Sequence, residues 1–330
     1  MAGFRVLVAE WPPEGRVVRP AVDWPALDRT GRPVTAVLRV DGSGALPDPA
    51  SIAAAIPVGR HLAGIEIDFD CPTRRLGEYR SFLLALRPVL PRGLRLGITA
   101  LPDWLRSSGF TALTRAVDQP VLQLHATDDP RDGLFDAARM RRRVRAMSRL
   151  SARPFLVSLP SYGVRVVLDP NGQLRATEAE RSLLMGGAGR DLFVSPGAMA
   201  RAVAWLERDP PFRLAGLVWF RVPTGEDRRS WSPGSWCAVL ARQPAEAVAT
   251  LERESGEPEI LRLANRSDLD APLPDTILLD AACLAADGAG PYRRDGSLLR
   301  RIDGSMMPAH SVLTVGWERC PAGGNGESGR

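Results

Sequence analysis

Residues 63–72 read AGIEIDFDCP, and strand alternation divides them into two faces. Ile65, Ile67 and Phe69 take one side, and Glu66, Asp68 and Asp70 take the other, because successive side chains of a strand point in opposite directions. Three carboxylates on one face repel one another, so they need water, a metal, a shared proton or a cationic partner. This face is therefore where chemistry is expected.

Around this stretch, short apolar runs alternate with helix-like segments. Strand patterns fall at residues 4–10, 34–40, 62–70, 94–101, 120–126, 155–160, 191–195 and 214–222. Residues 76–90 place Leu76, Tyr79, Leu83 and Leu86 or Leu90 on one helical stripe, and residues 196–209 open with proline and carry a similar stripe. Eight strands with intervening helices predict a (β/α)8 TIM-type barrel over residues 1–240, with a doubly wound open sheet as the alternative. Residues 162–176 alternate on both sides of D-P-N-G and predict a hairpin after the sixth strand. A linking helix is expected over 241–254. Beyond it, short strands separated by Pro, Asn and Gly turns predict a small sandwich-like β domain at 255–322, and 323–330 read as a disordered tail.

Composition narrows the chemistry. The chain has 330 residues, 43 Lys plus Arg against 38 Asp plus Glu, and a formal net charge of +5. No lysine occurs, so Schiff-base catalysis, a lysine-anchored pyridoxal cofactor and a lysine-bearing phosphate loop are excluded, and the glycine-rich piece at 185–191 reads as a turn. The dense basic run, residues 139–145, lies in a helical pattern and reads as a solvated outer face rather than a nucleic-acid surface. The four cysteines have no C-x-x-C spacing and the three histidines are scattered, so neither a metal centre nor a cofactor is expected. No segment has the length of a membrane span, and the first residues read as a buried strand rather than an export signal.

In a barrel, the C-terminal ends of the strands face the active-site mouth. Asp70 then lies at the wet end, where its neighbour's charge can raise its pKa. Asp68 is intermediate, held by hydrogen bonds or an arginine, and Glu66 is deep. An inward Arg39 paired with Glu66 would make that residue a scaffold. Gln123 and His125 are expected to face inward on the fifth strand, with His125 either a proton carrier or a satisfied core histidine. Trp104 and Trp219 each offer a ring that either stacks on a sugar or fills the core. Tyr162 either steadies a developing positive charge or sits at the rim.

The acidic stretch is similar to the D-G-x-D-x-D-x-E signature of the chitinase-like glycoside hydrolases of family eighteen. By position, Asp70 matches their general acid, Asp68 the residue that orients the substrate's acetamido group, and Glu66 the supporting carboxylate. Asp70 replaces a glutamate, Ala63 replaces an aspartate, and the motif falls on the third strand rather than the fourth. A closer resemblance is to the bacterial family called domain of unknown function 3142. Residues 65–91 and 96–105 look like its core, while DAACLAADGAGPY and VGWERC look like its C-terminal part. The resemblance implies a glycosidase-related barrel, usually exported; Cys283 and Cys320 can pair in that setting, and in the cytoplasm they would be buried thiols. The function expected is that of a carbohydrate-active barrel with Asp70 as general acid and Asp68 as its stabilising partner. A non-catalytic glycan-binding protein is the alternative.

Overall fold

The computed structural model describes residues 2–14, 16–125, 133–169, 171, 173–178, 189–223 and 229–321. The tail at 323–330, Pro170 and Gly172 of the expected turn, and residues 185–188 of the glycine-rich piece lie outside them. The chain divides into two compact units that do not follow a single cut in the sequence. One comprises residues 1–125, 138–159 and 209–218, and the other residues 126–137, 160–208 and 219–330.

Where apolar and β-branched residues run together, the chain forms β1 (Phe4–Trp11), β2 (Val34–Val40), β3 (Leu62–Phe69), β4 (Arg95–Ala100), β5 (Gln119–Gln123) and β6 (Phe155–Pro160). Next come β7 (Gly163–Leu168), β8 (Leu174–Glu178), β9 (Gly189–Phe193) and β10 (Leu214–Phe220). The main sheet has seven strands in the order β1-β2-β3-β4-β5-β6-β10, parallel from β1 to β6. Helices α1 (Trp24–Arg29), α2 (Pro49–Ala54), α3 (Leu76–Leu86) and α4 (Phe110–Arg115) connect the first five strands. The architecture is α/β, with a parallel sheet and further all-β sheets.

Helix α3 shows why β3 has an oily side. Its buried stripe is Leu76, Tyr79, Phe82, Leu83 and Leu86, and it ends in a 3-10 turn at Arg87–Val89 that contains Pro88. Tyr79 packs edge-on against Phe69 at 5.0 Å and donates its hydroxyl to the Ile67 carbonyl at 3.1 Å. Helix α5 (Ala137–Leu150) buries Met140, Val144 and Met147 and leaves Arg141, Arg142 and Arg145 exposed, which places the basic run on an outer face. No helix among the described residues is long and apolar enough to cross a membrane.

The seventh expected strand belongs to another sheet. Residues 189–193 pair antiparallel with β7, which also pairs with β8, giving a three-stranded sheet β8-β7-β9. The hairpin around D-P-N-G is thus present, but with a third strand. Gly163 permits the close approach: a Cβ there would meet the Leu192 carbonyl oxygen and the Phe193 ring at 2.7 Å each. Helix α6 (Pro196–Arg208) follows as expected, burying Met199, Val203 and Leu206.

The linking helix at 241–254 is not formed. Helix α7 (Pro233–Leu240) ends before it, and Thr250–Glu254 is strand β11, antiparallel to β12 (Glu259–Asn265). The good helix formers of that segment are overruled by pairing. Leu251 packs against the buried cluster, while Arg266 and Arg262 reach Glu252 and Glu254 across the strands.

Seven further strands complete the C-terminal part: β13 (Ala271–Pro272), β14 (Thr276–Leu278), β15 (Ala285–Gly288), β16 (Tyr292–Asp295), β17 (Leu298–Arg301), β18 (Met306–Met307) and β19 (Ser311–Arg319). A four-stranded sheet, β11-β12-β19-β15, and a three-stranded one, β14-β17-β16, share a core built on Leu261, Leu263, Ile277, Tyr292, Leu299 and Val315. Glu318, 0% exposed, accepts from Arg253 Nε and the Asp280 N–H, both at 2.9 Å. Cys283 and Cys320 are joined by a disulfide that closes a separation of 37 residues. Replacing both by alanine removes a cross-link whose loop length corresponds to about 4 kcal/mol of unfolded-chain entropy. The expected outcome is a lower urea midpoint for this region, read from Trp317 fluorescence; an unchanged midpoint would show that the sheets hold without it.

Candidate active site

The acidic face of β3 is organised in two layers, because strand register carries each carboxylate to a different set of neighbours. Glu66 lies beside Val37 on β2 and Gly97 on β4, and Gly97 in turn lies beside Gln119 on β5. Gly97 leaves room in this row: a Cβ there would stand 3.0 Å from the Gln119 carbonyl oxygen and 3.8 Å from Glu66 Cβ. Glu66 is 5% exposed and fully engaged. It forms an ion pair with Arg5 of β1 and accepts the Thr99 hydroxyl at 2.9 Å, while Arg5 also donates to Gln119 Oε1 at 2.9 Å. Burial pulls the Arg5 pKa down to about 10, still leaving it charged at neutral pH. Glu66, grouped with the two aspartates as a catalytic candidate from the sequence, is paired with Arg5 rather than with Arg39.

Arg39 belongs to the upper layer. It lies in register between Glu10 of β1 and Asp68 of β3, and its guanidinium stands 3.8 Å from Glu10, 3.9 Å from Asp68 and 3.4 Å from Asp70. One positive charge is thus shared among three carboxylates. Glu10 reaches this face because β1 carries a bulge at Val8: Leu7 pairs with Val37, but Ala9 pairs with Leu38 and Glu10 with Arg39. Without the extra residue, Ala9 would occupy the position beside Arg39 and Glu10 would point the other way.

The two aspartates differ in their surroundings. Asp68 is 18% exposed and Asp70, just past the end of β3, is 36% exposed. Burial, followed by the charge of Asp70, pushes the Asp68 pKa from 3.8 up to about 6, against the pull of Arg39. Asp70 is also raised, by burial first and by Asp41, with Arg39 opposing. The ordering expected from the sequence is modified: Asp68 is the strongly perturbed group, and desolvation outweighs its neighbour's charge. One oxygen of each, Oδ1, is buried without a hydrogen-bond partner, which accords with the upward shift of both carboxyls.

The loop after β2 supports Asp70. Asp41 accepts the Ser43 N–H at 2.8 Å, and Gly42 lies so close to the Asp70 backbone that a Cβ would fall 1.8 Å from its carbonyl oxygen. His125, two residues beyond the end of β5, is pushed down to about 3 by burial, with the Arg39 charge adding to the effect. Its imidazole is therefore neutral at ordinary pH, with one ring nitrogen as donor and the other as acceptor. Gln123 ends β5 half-buried, in register with Ser158.

Trp104 is no platform. It is 0% exposed, its indole N–H donates to the Cys71 carbonyl at 3.0 Å, and its ring meets Tyr79 at 6.0 Å. The core reading applies. Tyr162 and Trp219 belong to the second unit. Tyr162 is 4% exposed, edge-on to Phe220, with the Arg221 guanidinium 5.0 Å from its ring centre. Trp219 is half-buried and meets Trp231 edge-on at 5.9 Å. Arg5 and Glu10 are the site residues missed in the sequence. Arg5 was visible only as a charge inside an apolar strand, and Glu10 is hidden because a bulge breaks alternation.

Two outcomes follow from these layers. Arg5→Met leaves Glu66 buried without its cation and should cost about 3 kcal/mol or more in urea unfolding, with part regained in Arg5→Met/Glu66→Gln; full stability of the single variant would exclude the pair as a scaffold. The folded chain holds the Asp68 proton more tightly than the unfolded chain, so this carboxyl lowers stability as pH rises from about 4 to about 6 and adds no slope above that. Its contribution at neutral pH is about 2–3 kcal/mol, and Asp68→Asn should lack that slope. Equal slopes in both proteins would mean that Asp68 is not raised.

Comparison with known proteins bears on the same architecture. The family model described as domain of unknown function (DUF3142) matches residues 30–225, and domain of unknown function (DUF8456) matches residues 248–321, a span that includes β11. No curated protein matches. Among solved structures, the chain is similar to the Bacillus megaterium QM B1551 spore cortex-lytic enzyme SleL, at 12% identity and a TM-score of 0.50, covering 68% of this chain and 63% of that one. It therefore spans less than two thirds of that enzyme's length. The Bacillus cereus spore cortex-lytic enzyme SleL gives 11% identity and a TM-score of 0.48, covering 72% of this chain and 67% of that one. The family GH18 chitinase ChiB from the chitin utilization locus of Flavobacterium johnsoniae gives 12% and 0.46, covering 67% and 80%. With more than half of its length matched by one family model, carrying the acidic strand, the chain belongs to the DUF3142 family.

Proposed function

We propose that the chain is a glycoside-hydrolase-like protein that acts on a glycan, with Asp70 as general acid and Asp68 as the carboxylate that stabilises or orients. The observation that carries this reading is the aspartate pair at the C-terminal end of β3, both members raised in pKa and both partly exposed. Parallel α/β sheets bind ligands at that end of their strands. The fold shared with the B. megaterium cortex-lytic enzyme supports the same reading, and with it a (β/α)8-type barrel in which the seven-stranded sheet forms the wall.

The chemistry asked of the pair is modest. Two carboxyls two residues apart on one strand are spaced by about 6.5–7 Å of rise, and at such range the charge of one favours protonation of the other. Below about pH 6, one proton resides on the pair and can pass to a glycosidic oxygen, while the remaining charge stabilises an oxocarbenium-like centre or orients an acetamido group. Gln123 and His125, the latter neutral, serve this reading as hydrogen-bonding groups for sugar hydroxyls.

One observation favours a non-catalytic glycan binder instead. Arg39, 3.4 Å from Asp70, favours the ionised form of the proposed acid. The two readings separate in one experiment. A panel of chromogenic and polymeric glycans, including N-acetylglucosamine oligomers, is assayed with the wild type, Asp70→Asn and Asp68→Asn across a pH series. Hydrolysis that falls above about pH 6 and drops about a hundredfold or more in both variants is expected of the enzyme. Binding without turnover identifies the binder, and turnover equal in all three proteins would remove the pair from the mechanism.

A further inference from the structure

The upper layer is a negatively charged site in a chain whose net charge is positive. Glu10, Asp41, Asp68 and Asp70 surround Arg39, which is the one cation within 4.0 Å of either aspartate among the described residues. Asp41 and Glu10 act on the pair through space, Asp41 on Asp70 and Glu10 on Asp68. Four carboxylates against one guanidinium leave an excess of negative charge when all are ionised, whereas the whole chain carries +5. An acidic site on a basic protein draws cations locally and repels anionic ligands.

Two features indicate that this charge is built for a ligand. The bulge at Val8 turns Glu10 onto the same face as Asp68, adding a carboxylate to a face that already has three. Arg39, at 3.4–3.9 Å from its partners, sits beyond the distance of a strong charge-assisted bond, and the Asp68 and Asp70 side chains stay 18% and 36% exposed. Their exposed carboxylate oxygens therefore have capacity for a second cationic donor. A bare metal ion is a poor candidate. Among the described residues, the one group of ligand atoms near enough to one another to hold an ion is Asp280 with the disulfide cysteines, not this site. An ammonium group on an extended sugar places its charge and its three donors without demanding that the oxygens converge on a point.

Resting on the glycan reading above, we propose that the sugar bound against Asp68 and Asp70 carries a free, positively charged amino group, so that the preferred ligand is a de-N-acetylated amino-sugar oligomer. The acetyl group of an N-acetylated unit removes that charge, and an acidic sugar reverses it.

The test compares end-labelled glucosamine and N-acetylglucosamine pentamers by fluorescence anisotropy at about pH 6 and low salt. The glucosamine pentamer should bind about tenfold more tightly, with the difference shrinking as salt is raised. Glu10→Gln should reduce the ratio of the two affinities several-fold, whereas Asp28→Asn, on the surface of α1, should leave the ratio as it is. Equal binding of the two pentamers, or preference for the acetylated one, overturns this inference and leaves the glycan reading standing. Binding of neither pentamer overturns both. Trilysine competing as well as the glucosamine pentamer shows a general cation trap and also overturns it.

Discussion

A buried ion pair holds the acidic strand in place. Glu66 lies deep in a sheet whose neighbours are apolar, and its charge is tolerable only because Arg5 and Thr99 meet it from two other strands, with Gln119 on a third accepting from Arg5. β1, β3, β4 and β5 are thereby tied at one level, and everything above that level inherits their alignment. Asp68 stands one pleat higher on β3, and Arg39 stands beside it because β2 keeps register with both neighbours. The lower layer is electrically satisfied; the upper layer is not. That contrast separates scaffold from site more sharply than residue type, since both layers contain carboxylates and arginine.

The oily side of β3 is just as constrained. Ile65, Ile67 and Phe69 are at most 1% exposed, and the Tyr79 and Trp104 polar groups are spent on backbone carbonyls in this layer. With one face sealed in this way, the carboxylates have a single direction to point. Water reaches Asp70 first and Asp68 less, and this graded exposure, rather than mutual repulsion alone, separates their behaviour.

Much of this was legible in the sequence because alternation is local. The two faces of β3, the stripe of α3 and the α/β pattern all follow from spacing within a dozen residues. Pairing across long distances was not. Arg5 lies 61 residues from Glu66, and Arg39, much nearer in sequence, was the obvious but mistaken partner. Residues 250–254 have helical composition, yet Leu251 gains more from the β core, and residues 189–193 join the hairpin because Gly163 admits a close neighbour. Trp104 illustrates a different blind spot. A tryptophan after a strand suits a sugar or a core equally, and only the position of the Cys71 carbonyl decides between them.

The bulge in β1 makes the length of that strand a matter of odd and even. Arg5 and Glu10 are an odd number of positions apart and yet share a face, one feeding the floor and the other the mouth. Loss of Val8 would yield a flat strand with both residues still facing the site, whereas one extra residue accommodated without a bulge would keep them together only by lengthening the spacing. Related sequences can therefore trim this strand by a single residue and preserve its charges. The feature to follow among them is parity taken together with the bulge, since an odd separation needs the bulge and an even one needs a regular strand.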